Sequence, residues 1–306
     1  MQSTLVDEAD HAMRHWDGAE PGPVKTGSEA HKRLFCRMLL DTHNPYKPAV
    51  IDWPALDAPA LARLTSLPIW DIAVQTEGRA SIRVKTFAET IRDPLMRAAL
   101  DLDANEEARH KHVLARLVEV YGIALAPEPA YPPPRAREWA WLVTGYSECI
   151  DSFFSFGLFA LAKQSGYFPP ALVETFEPVI QEEARHILFF ANWIAWYRRN
   201  TPWWRRPVLA ATIAAVWGFL IWERIGIARG MDAEGGTQDA NFAMTGGGAV
   251  GVALEPRALI ALCLAENDRR MAGYDRRLLR PVTVPFFARL AHRVLGLFGK
   301  RAGGAA

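Results

Sequence analysis

The chain has 306 residues, of which 50% are apolar and 23% are charged, and its formal net charge at neutral pH is +1. A chain of this length and composition can bury a large core, and it carries no overall charge of the kind that selects nucleic acid. Its three cysteines are widely scattered without a Cys-x-x-Cys pair, which indicates neither a zinc site nor a disulfide framework. Because the first residues also lack a basic stretch followed by an apolar one, we expect a cytoplasmic protein.

The first part of the chain, residues 1–66, is predicted to form an arm and a strap. Residues 1–30 are polar and interrupted by glycine and proline, so we expect a loose arm there. A short helix is predicted over residues 31–42. Proline-rich residues 44–54 then predict an extended strap that wraps the fold, followed by a helical turn or two at residues 58–64.

Four longer helices are predicted next, because apolar residues recur in each at helical spacing. They cover residues 68–90, 94–121, 135–165 and 169–199. The prolines at 127–134, between the second and third helices, make that stretch too stiff and too poor in donors for regular structure. We therefore expect an all-α protein in which four helices form a bundle with one long crossover.

Two of these helices carry the same five residues, Glu-Glu-Ala-Arg-His, at 106–110 and again at 182–186. Each copy contains Glu-x-x-His, and residues three apart lie on one face of a helix, so each pair can bind one metal ion. The two pairs are Glu107 with His110, and Glu183 with His186.

A bundle that binds two metals takes one further carboxylate from each of the other two helices. Glu77 lies 30 residues before Glu107, and Glu148 lies 35 residues before Glu183. Antiparallel helices of four to five turns joined by a short loop place residues at about that separation level with each other. Glu89 is an alternative to Glu77, since it lies 18 residues before Glu107 and suits a shorter hairpin.

The doubled Glu-Glu-x-Arg-His resembles the signature of the ferritin-like di-iron carboxylate oxidases and oxygenases, in particular the soluble acyl-carrier-protein desaturases and the p-aminobenzoate N-oxygenases. The resemblance covers residues 67–200 only, where it implies a ferritin-like four-helix bundle; residues 201–306 are expected to form a C-terminal helical extension. It implies six metal ligands, which are Glu77, Glu107, His110, Glu148, Glu183 and His186.

The same resemblance implies roles for other residues of the motif. Glu106 and Glu182 would orient the ligating imidazoles across the bundle, and Arg109 and Arg185 would pair with such carboxylates. The N-oxygenases carry a third histidine where this chain has Val179, which favours the six-ligand scheme.

Asp151 and Ser152 are candidate catalytic residues. Desaturases place a hydroxyl residue one turn after the third-helix glutamate, near the oxygen site, and these two residues occupy that turn here. Three roles stay open for Asp151: an extra ligand, a proton donor, or a solvated residue.

The ligand set predicts both the metal and the chemistry. Four carboxylates and two imidazoles suit two Fe ions, or mixed Mn/Fe, with O2 as co-substrate. The resemblance implies an oxidoreductase that hydroxylates, desaturates or N-oxidises a small-molecule or lipid substrate. Electrons would come from a separate donor such as a ferredoxin or a flavin reductase, or from the substrate itself. A ferroxidase without an organic substrate and a metal-stabilised scaffold are the alternatives.

The C-terminal extension contains two apolar stretches. Residues 208–222 are uncharged but fall short of the about 20 needed to cross a bilayer, so we expect a buried or monotopic helix. Glycine-rich residues 246–251 follow no strand and predict a loop rather than a dinucleotide site. A helix is expected at 256–270. Residues 284–301 predict a basic amphipathic helix that packs on the bundle or lies on an anionic membrane surface.

Two further sets of residues have no motif around them. The third helix carries the aromatic residues Tyr146, Phe153, Phe154, Phe156 and Phe159, for which core packing is favoured over a substrate channel. The histidines outside the motif, including His43, are expected at the surface or at helix ends.

Overall fold

The computed structural model describes the backbone of residues 2–231 and 256–302, and the side chains of residues 8–225 and 256–297. Within these ranges the chain forms α-helices without a β-strand, which confirms the expected all-α class. The predicted loop at 246–251 lies outside the described residues. The helices are α1 (Gln2–Arg14), α2 (Glu29–Asp41), α3 (Ala58–Thr65), α4 (Trp70–Ala88), α5 (Pro94–Val120), α6 (Arg137–Ser165), α7 (Pro170–Thr175), α8 (Glu177–Asn200), α9 (Arg206–Met231), α10 (Pro256–Met271) and α11 (Thr283–Ala302), with short 3-10 helices at Pro48–Val50 and Trp203–Arg205.

Local sequence sets several of the helix ends. The side chains of Ser28, Asp57 and Asp93 each accept a hydrogen bond from the backbone N–H three residues later, which caps α2, α3 and α5. Gly166 ends α6 with a positive φ of 63°, a conformation that glycine adopts without steric cost. Residues 122–136 form no helix, as the crossover prediction requires.

Four long helices, α4, α5, α6 and α8, position the predicted ligands. Helix α4 packs against α5 and α6, α6 packs against α8, and α2 covers both α5 and α8. Aromatic side chains fill the space between them: Trp141, Phe189, Phe190 and Trp193 are all buried. Trp141 stacks on Phe87 with ring centroids 5.5 Å apart, which joins α4 to α6.

Helices α6 and α8 approach each other closely at Gly145. A Cβ atom at this position would lie 2.1 Å from Cδ2 of Phe190, so any other residue there would force the buried Phe190 ring or one of the helices to move. Gly145 lies one turn before Glu148, and Phe190 lies one turn after His186. The contact therefore fixes the helix separation next to the predicted ligands.

The prediction of a loose arm at residues 1–30 is wrong, because the first half of this segment is a helix that packs against α8. Met13 of α1 is buried, and Arg14 donates to Glu177 of α8 at 3.1 Å. The Trp16 backbone carbonyl accepts from the N–H of Asp275 at 2.8 Å, so the N-terminal segment is also bonded to the loop after α10. These partners lie more than 160 residues away, and no local pattern indicates them.

The predicted fourth helix is divided into α7 and α8 at Phe176. Pro178 occupies the first turn of α8. A proline inside a helix removes one backbone hydrogen bond and clashes with the carbonyl four residues earlier, here that of Glu174. The helix therefore ends at Thr175 and starts again two residues later.

Helix α9 is longer and more exposed than the prediction for residues 208–222. Leu209, Val216 and Leu220 are buried on one side, whereas Trp222 on the other side is 70% exposed. Of the two forms expected for this segment, the buried helix is therefore wrong, and the monotopic helix stays a prediction. Among the described residues one segment, Trp203–Ile225, has the length and the mean hydropathy (1.6) of a membrane span, and 17% of its most apolar window is buried.

Helix α11 also turns an apolar face outward. Its residues Val284 and Ala288 pack with Phe153 and Cys263 against α6 and α10. Most of the large apolar side chains of this predicted amphipathic helix are exposed: Phe286, Phe287, Leu290, Val294 and Leu297. The face of α11 that packs against the rest of the protein is therefore narrower than the apolar face that it exposes.

Candidate metal centre

Helices α5 and α8 bring the two Glu-x-x-His pairs together inside the protein. The ligand atoms of Glu107, His110, Glu183 and His186 all lie within 4.8 Å of one another. The glutamate of each helix faces the histidine of the other: Glu107 Oε1 lies 2.8 Å from Nδ1 of His186, and Glu183 Oε1 lies 3.1 Å from Nδ1 of His110.

Three of these converging atoms have no hydrogen-bond partner within the part of the chain that the structure describes. They are Glu107 Oε1, His110 Nδ1 and His186 Nδ1. The Glu107–His186 and Glu183–His110 contacts are short but do not have hydrogen-bond geometry. This is usual for ligand atoms that are directed at a common metal ion. Buried polar atoms without partners are rare and cost free energy, so each needs an explanation. These residues fit a metal ion in both type and arrangement.

Glu77 and Glu148 complete the group from the other two helices. Glu77 Oε2 lies 3.7 Å from Nδ1 of His110, and Glu148 has a buried Oε1 atom without a partner among the described residues. Both line the same cavity as Glu107. The alternative, Glu89, follows Glu77 by twelve residues, about 18 Å along α4, and lies 3.5 Å from Arg137 at the surface. Four of the six predicted ligands thus converge, Glu77 and Glu148 line the cavity beside them, and Glu89 lies outside.

The site concentrates buried negative charge. Burial raises the pKa of Glu107 and of Glu148 well above the ordinary value, and repulsion between neighbouring carboxylates raises each further. The pKa of His110 is raised although burial alone would lower it, because carboxylates led by Glu182 surround the ring. Such a cluster needs bound cations or protons to be stable, and two metal ions would supply that charge.

A second glutamate of each motif orients the histidine of the other helix. His110 contacts Glu182 at 2.8 Å through Nε2, and His186 contacts Glu106 at 2.8 Å in the same way. Each carboxylate accepts from Nε2 and thereby leaves Nδ1 to face the centre. This geometry agrees with the roles that the resemblance implied for Glu106 and Glu182.

The two motif arginines neutralise those glutamates. Arg109 Nη2 lies 2.6 Å from Glu182, and Arg185 Nη1 lies 3.0 Å from both oxygens of Glu106. Arg185 is fully buried and donates to Thr42 as well, whereas the Arg109 side chain is 12% exposed. Each arginine therefore completes one carboxylate–histidine pair, with the Arg185 side more enclosed.

The strap supplies partners that sequence analysis missed. His43 Nδ1 lies 2.6 Å from Oε1 of Glu106, and the Tyr46 hydroxyl donates to Glu182 at 3.2 Å. His43 lies directly after the end of α2 and its side chain is 32% exposed, so the helix-end position expected for it is confirmed, whereas its contact with Glu106 was not predicted. That contact joins residues 63 apart in sequence, so no local spacing indicates it.

Asp103 is a further buried acid that the sequence analysis did not identify. It precedes Glu107 by four residues and so shares its helix face, which is the signal that was available. Its Oδ1 lies 3.8 Å from Nε2 of His186, and neither oxygen has a hydrogen-bond partner among the described residues. Burial raises the pKa of Asp103 to about 6.

The two candidate catalytic residues have different surroundings. The Ser152 hydroxyl donates to Oε2 of Glu183 at 2.9 Å, so it orients a predicted ligand. Asp151 accepts from Arg224 of α9 with both oxygens, at 2.8 and 2.9 Å, and from Ser147 at 2.8 Å. Because this ion pair occupies its carboxylate, we leave Asp151 outside the ligand set, and the interpretation as a merely solvated residue is wrong.

A cavity of about 340 Å³ runs past the predicted ligands. One end is apolar and is formed by residues such as Leu67, Trp70, Leu172 and Phe176. The other end lies beneath α9 and includes Arg79, Arg83, Phe219 and Glu223. In the aromatic run of α6, Phe153 and Phe156 are core residues, whereas Phe159 lines the cavity. Core packing, the favoured interpretation, is therefore confirmed for Phe153 and Phe156, and a role in a substrate channel stays a prediction for Phe159.

Comparison of the chain with protein-family models, with curated proteins and with solved structures finds no match. Its function is therefore inferred from its own residues and their geometry.

Proposed function

We propose that this protein is a ferritin-like di-iron oxidoreductase that uses O2 to hydroxylate, desaturate or N-oxidise an organic substrate. The observation that carries the proposal is the pairing of two Glu-x-x-His motifs across α5 and α8, with partnerless ligand atoms directed at one centre. Carboxylates from α4 and α6 complete the set that a di-iron bundle uses. When bound, two Fe ions or a Mn/Fe pair would supply the redox chemistry that activates O2.

The protein's own residues would orient the metal ligands and enclose the substrate. Glu106 and Glu182 hold the two imidazoles, and Ser152 holds the Glu183 carboxylate. The apolar cavity walls would place a substrate beside the centre and exclude water. Electrons would come from a separate donor such as a ferredoxin or a flavin reductase.

The cavity favours an organic substrate over the ferroxidase alternative. Its volume of about 340 Å³ lies within the range of small-molecule sites, and apolar side chains dominate one end. A protein that oxidises Fe(II) as its substrate needs a polar route for a hydrated ion instead.

The proposal predicts two Fe ions per chain and a reaction with O2. The full chain would be loaded anaerobically with Fe(II), desalted and assayed for iron, and then mixed with O2 in a stopped-flow spectrometer. We expect two irons per chain and a transient optical change that decays faster when the right organic substrate is present.

Two other results would contradict the proposal. Rapid turnover of added excess Fe(II), without any effect of organic compounds, would identify a ferroxidase. The absence of stoichiometric metal would mean that the twin motifs serve only the fold, as in the scaffold alternative.

We also propose that the protein contacts a membrane peripherally through α9 and α11. The outer face of α9 exposes Trp222 and Ile221, and the adjacent 3-10 helix exposes Trp203 and Trp204, at 79% and 63%. Tryptophan is favoured at the boundary between lipid and water, and neighbouring arginines suit anionic headgroups. A cytoplasmic protein with this surface would reach a lipophilic substrate at the membrane.

Co-sedimentation with anionic phosphatidylserine–phosphatidylcholine vesicles tests this contact. We expect the triple variant Trp203→Ser, Trp204→Ser, Trp222→Ser to bind about tenfold or more weakly, because three aromatic side chains no longer enter the lipid. Val50→Ser with Val120→Ser, which also removes exposed apolar side chains but outside α9 and α11, is the matched control and should bind normally. Equal sedimentation of the triple variant and the parent, or no binding by either, would contradict the contact.

A further inference from the structure

The cavity end beneath α9 holds two arginines. Arg79 and Arg83 lie four residues apart on α4, hence on one helix face, and both line the cavity. Neither is within 4.0 Å of a carboxylate oxygen in the part of the chain that the structure describes. Arg79 donates from Nε to the backbone oxygen of Gln75 at 3.3 Å.

The carboxylates of Asp151 and Glu223 line the same end of the cavity, but both lie closer to Arg224 than to Arg79 or Arg83. Asp151 is held by Arg224 at 2.8 Å. Glu223 lies 3.9 Å from Arg224 and attracts both Arg83 and Arg79 over longer distances. Among the described residues, three guanidinium groups, those of Arg79, Arg83 and Arg224, therefore meet two carboxylates at this end of the cavity. Burial lowers the pKa of Arg83, and repulsion from Arg79 lowers it further, so an additional anion would stabilise the pair.

Arginine is suited to binding an anion by the shape of its side chain. Its planar fork of donors matches a carboxylate or a phosphate in two parallel hydrogen bonds, and burial strengthens such charged bonds. The other end of the same cavity is apolar, with Trp70 at the opposite end of α4 from Arg83. One cavity thus joins an anion-binding end to a hydrocarbon-binding end, with the predicted ligands between them.

We propose that Arg79 and Arg83 bind the anionic head group, a carboxylate or a phosphate, of an amphiphilic substrate whose chain extends along the cavity past the metal centre. The inference rests on the proposed function and names its substrate class. Glu77 lies six residues before Arg83 and seven after Trp70, which places it about 9 and 10 Å from them along the helix axis. Oxidation would therefore occur in the middle of the substrate's hydrocarbon chain, away from both its head group and its tail end.

Binding to the full chain, with and without metal, tests the inference apart from catalysis. Isothermal titration would compare dodecanoate, dodecyl phosphate and dodecanol. We expect at least one of the two anions to bind about tenfold or more tightly than the alcohol, the effect of charge-assisted hydrogen bonds. The tighter of the two anions identifies the head group.

The variant Arg79→Gln with Arg83→Gln should lose this preference and bind dodecanol as the parent does. Arg83→Lys keeps the charge and should keep most of the preference, which separates charge from packing. Arg97→Gln, which changes an exposed arginine of α5 outside the cavity, is the matched control and should bind like the parent. Thermal unfolding of each variant checks that it is folded.

Equal affinity for the three ligands in the parent, or an anion preference that survives the double variant, would overturn the inference. So would a failure of all three to bind. Each of these results would leave the iron and O2 measurements unaffected, so the proposed function stands or falls separately. Conversely, a head-group preference in a chain that binds no iron would contradict the proposed function alone.

Discussion

Glu107→Ala is expected to lower bound iron from about two ions per chain to about one or fewer, and Glu183→Ala to do the same. Each substitution removes an atom that lies within 4.8 Å of the other converging ligands. Loss even of a residue that only supports a ligand weakens metal binding roughly 10- to 100-fold, so loss of the ligand itself should cost at least as much.

Iron would be measured after anaerobic loading and desalting. Glu119→Ala is the matched control, because Glu119 lies on the same helix as Glu107 but is paired with Arg116 at the surface. It should leave the iron content unchanged. Unchanged iron in both Glu107→Ala and Glu183→Ala would refute the site.

The fold of Glu107→Ala should survive without metal. Burial and the neighbouring Glu183 and Glu77 raise the pKa of the Glu107 carboxyl, so its presence opposes folding at neutral pH when no cation balances it. We expect the metal-free variant to be at least as stable as the metal-free parent. This outcome distinguishes a lost ligand from a damaged structure.

Arg185→Ala is expected to reduce the free energy of unfolding of the metal-free protein by about 3 kcal/mol, the lower end of the usual cost of removing one member of a buried ion pair, because His186 and His43 still contact Glu106. Arg185 and Glu106 have side chains 0% and 1% exposed, so water cannot replace the lost guanidinium. Urea unfolding followed by circular dichroism would measure the change.

Arg109→Ala is the matched comparison, because Arg109 holds the corresponding position in the first motif. Its side chain is 12% exposed, so water can reach part of the space it leaves, and a smaller loss is expected. Losses of equal size would show that the enclosure of Arg185 has no energetic consequence.

Sequence alone could predict the parts of this site that depend on helix geometry. Glu107 and His110 share a face because they are three residues apart, and capping by Asp93 sets where α5 begins. The two extra carboxylates followed from loop and helix lengths. The break at Pro178 was also visible in the sequence but was not predicted, because a proline in the first turn of a helix is compatible with both a start and a continuation.

The long-range contacts could not be predicted. His43 follows the end of α2 and Tyr46 lies in the extended strap, and their partners Glu106 and Glu182 are 63 and 136 residues away. Periodicity describes only which face of a helix is apolar, and an extended segment has no such face. The exposure of α9 could not be predicted for the same reason. The sequence shows that the helix is apolar, but its burial depends on which other segments pack against it, and no local pattern indicates them.

The close approach of α6 and α8 at Gly145 has a consequence for the proposed metal centre. Glu148 and His186 sit one turn from Gly145 and Phe190, so packing between a glycine and an aromatic ring sets the spacing of their two helices. Ions bound by these residues would enter a frame whose width is determined by packing. A larger side chain at Gly145 would therefore be expected to disturb the proposed ligands without touching either of them.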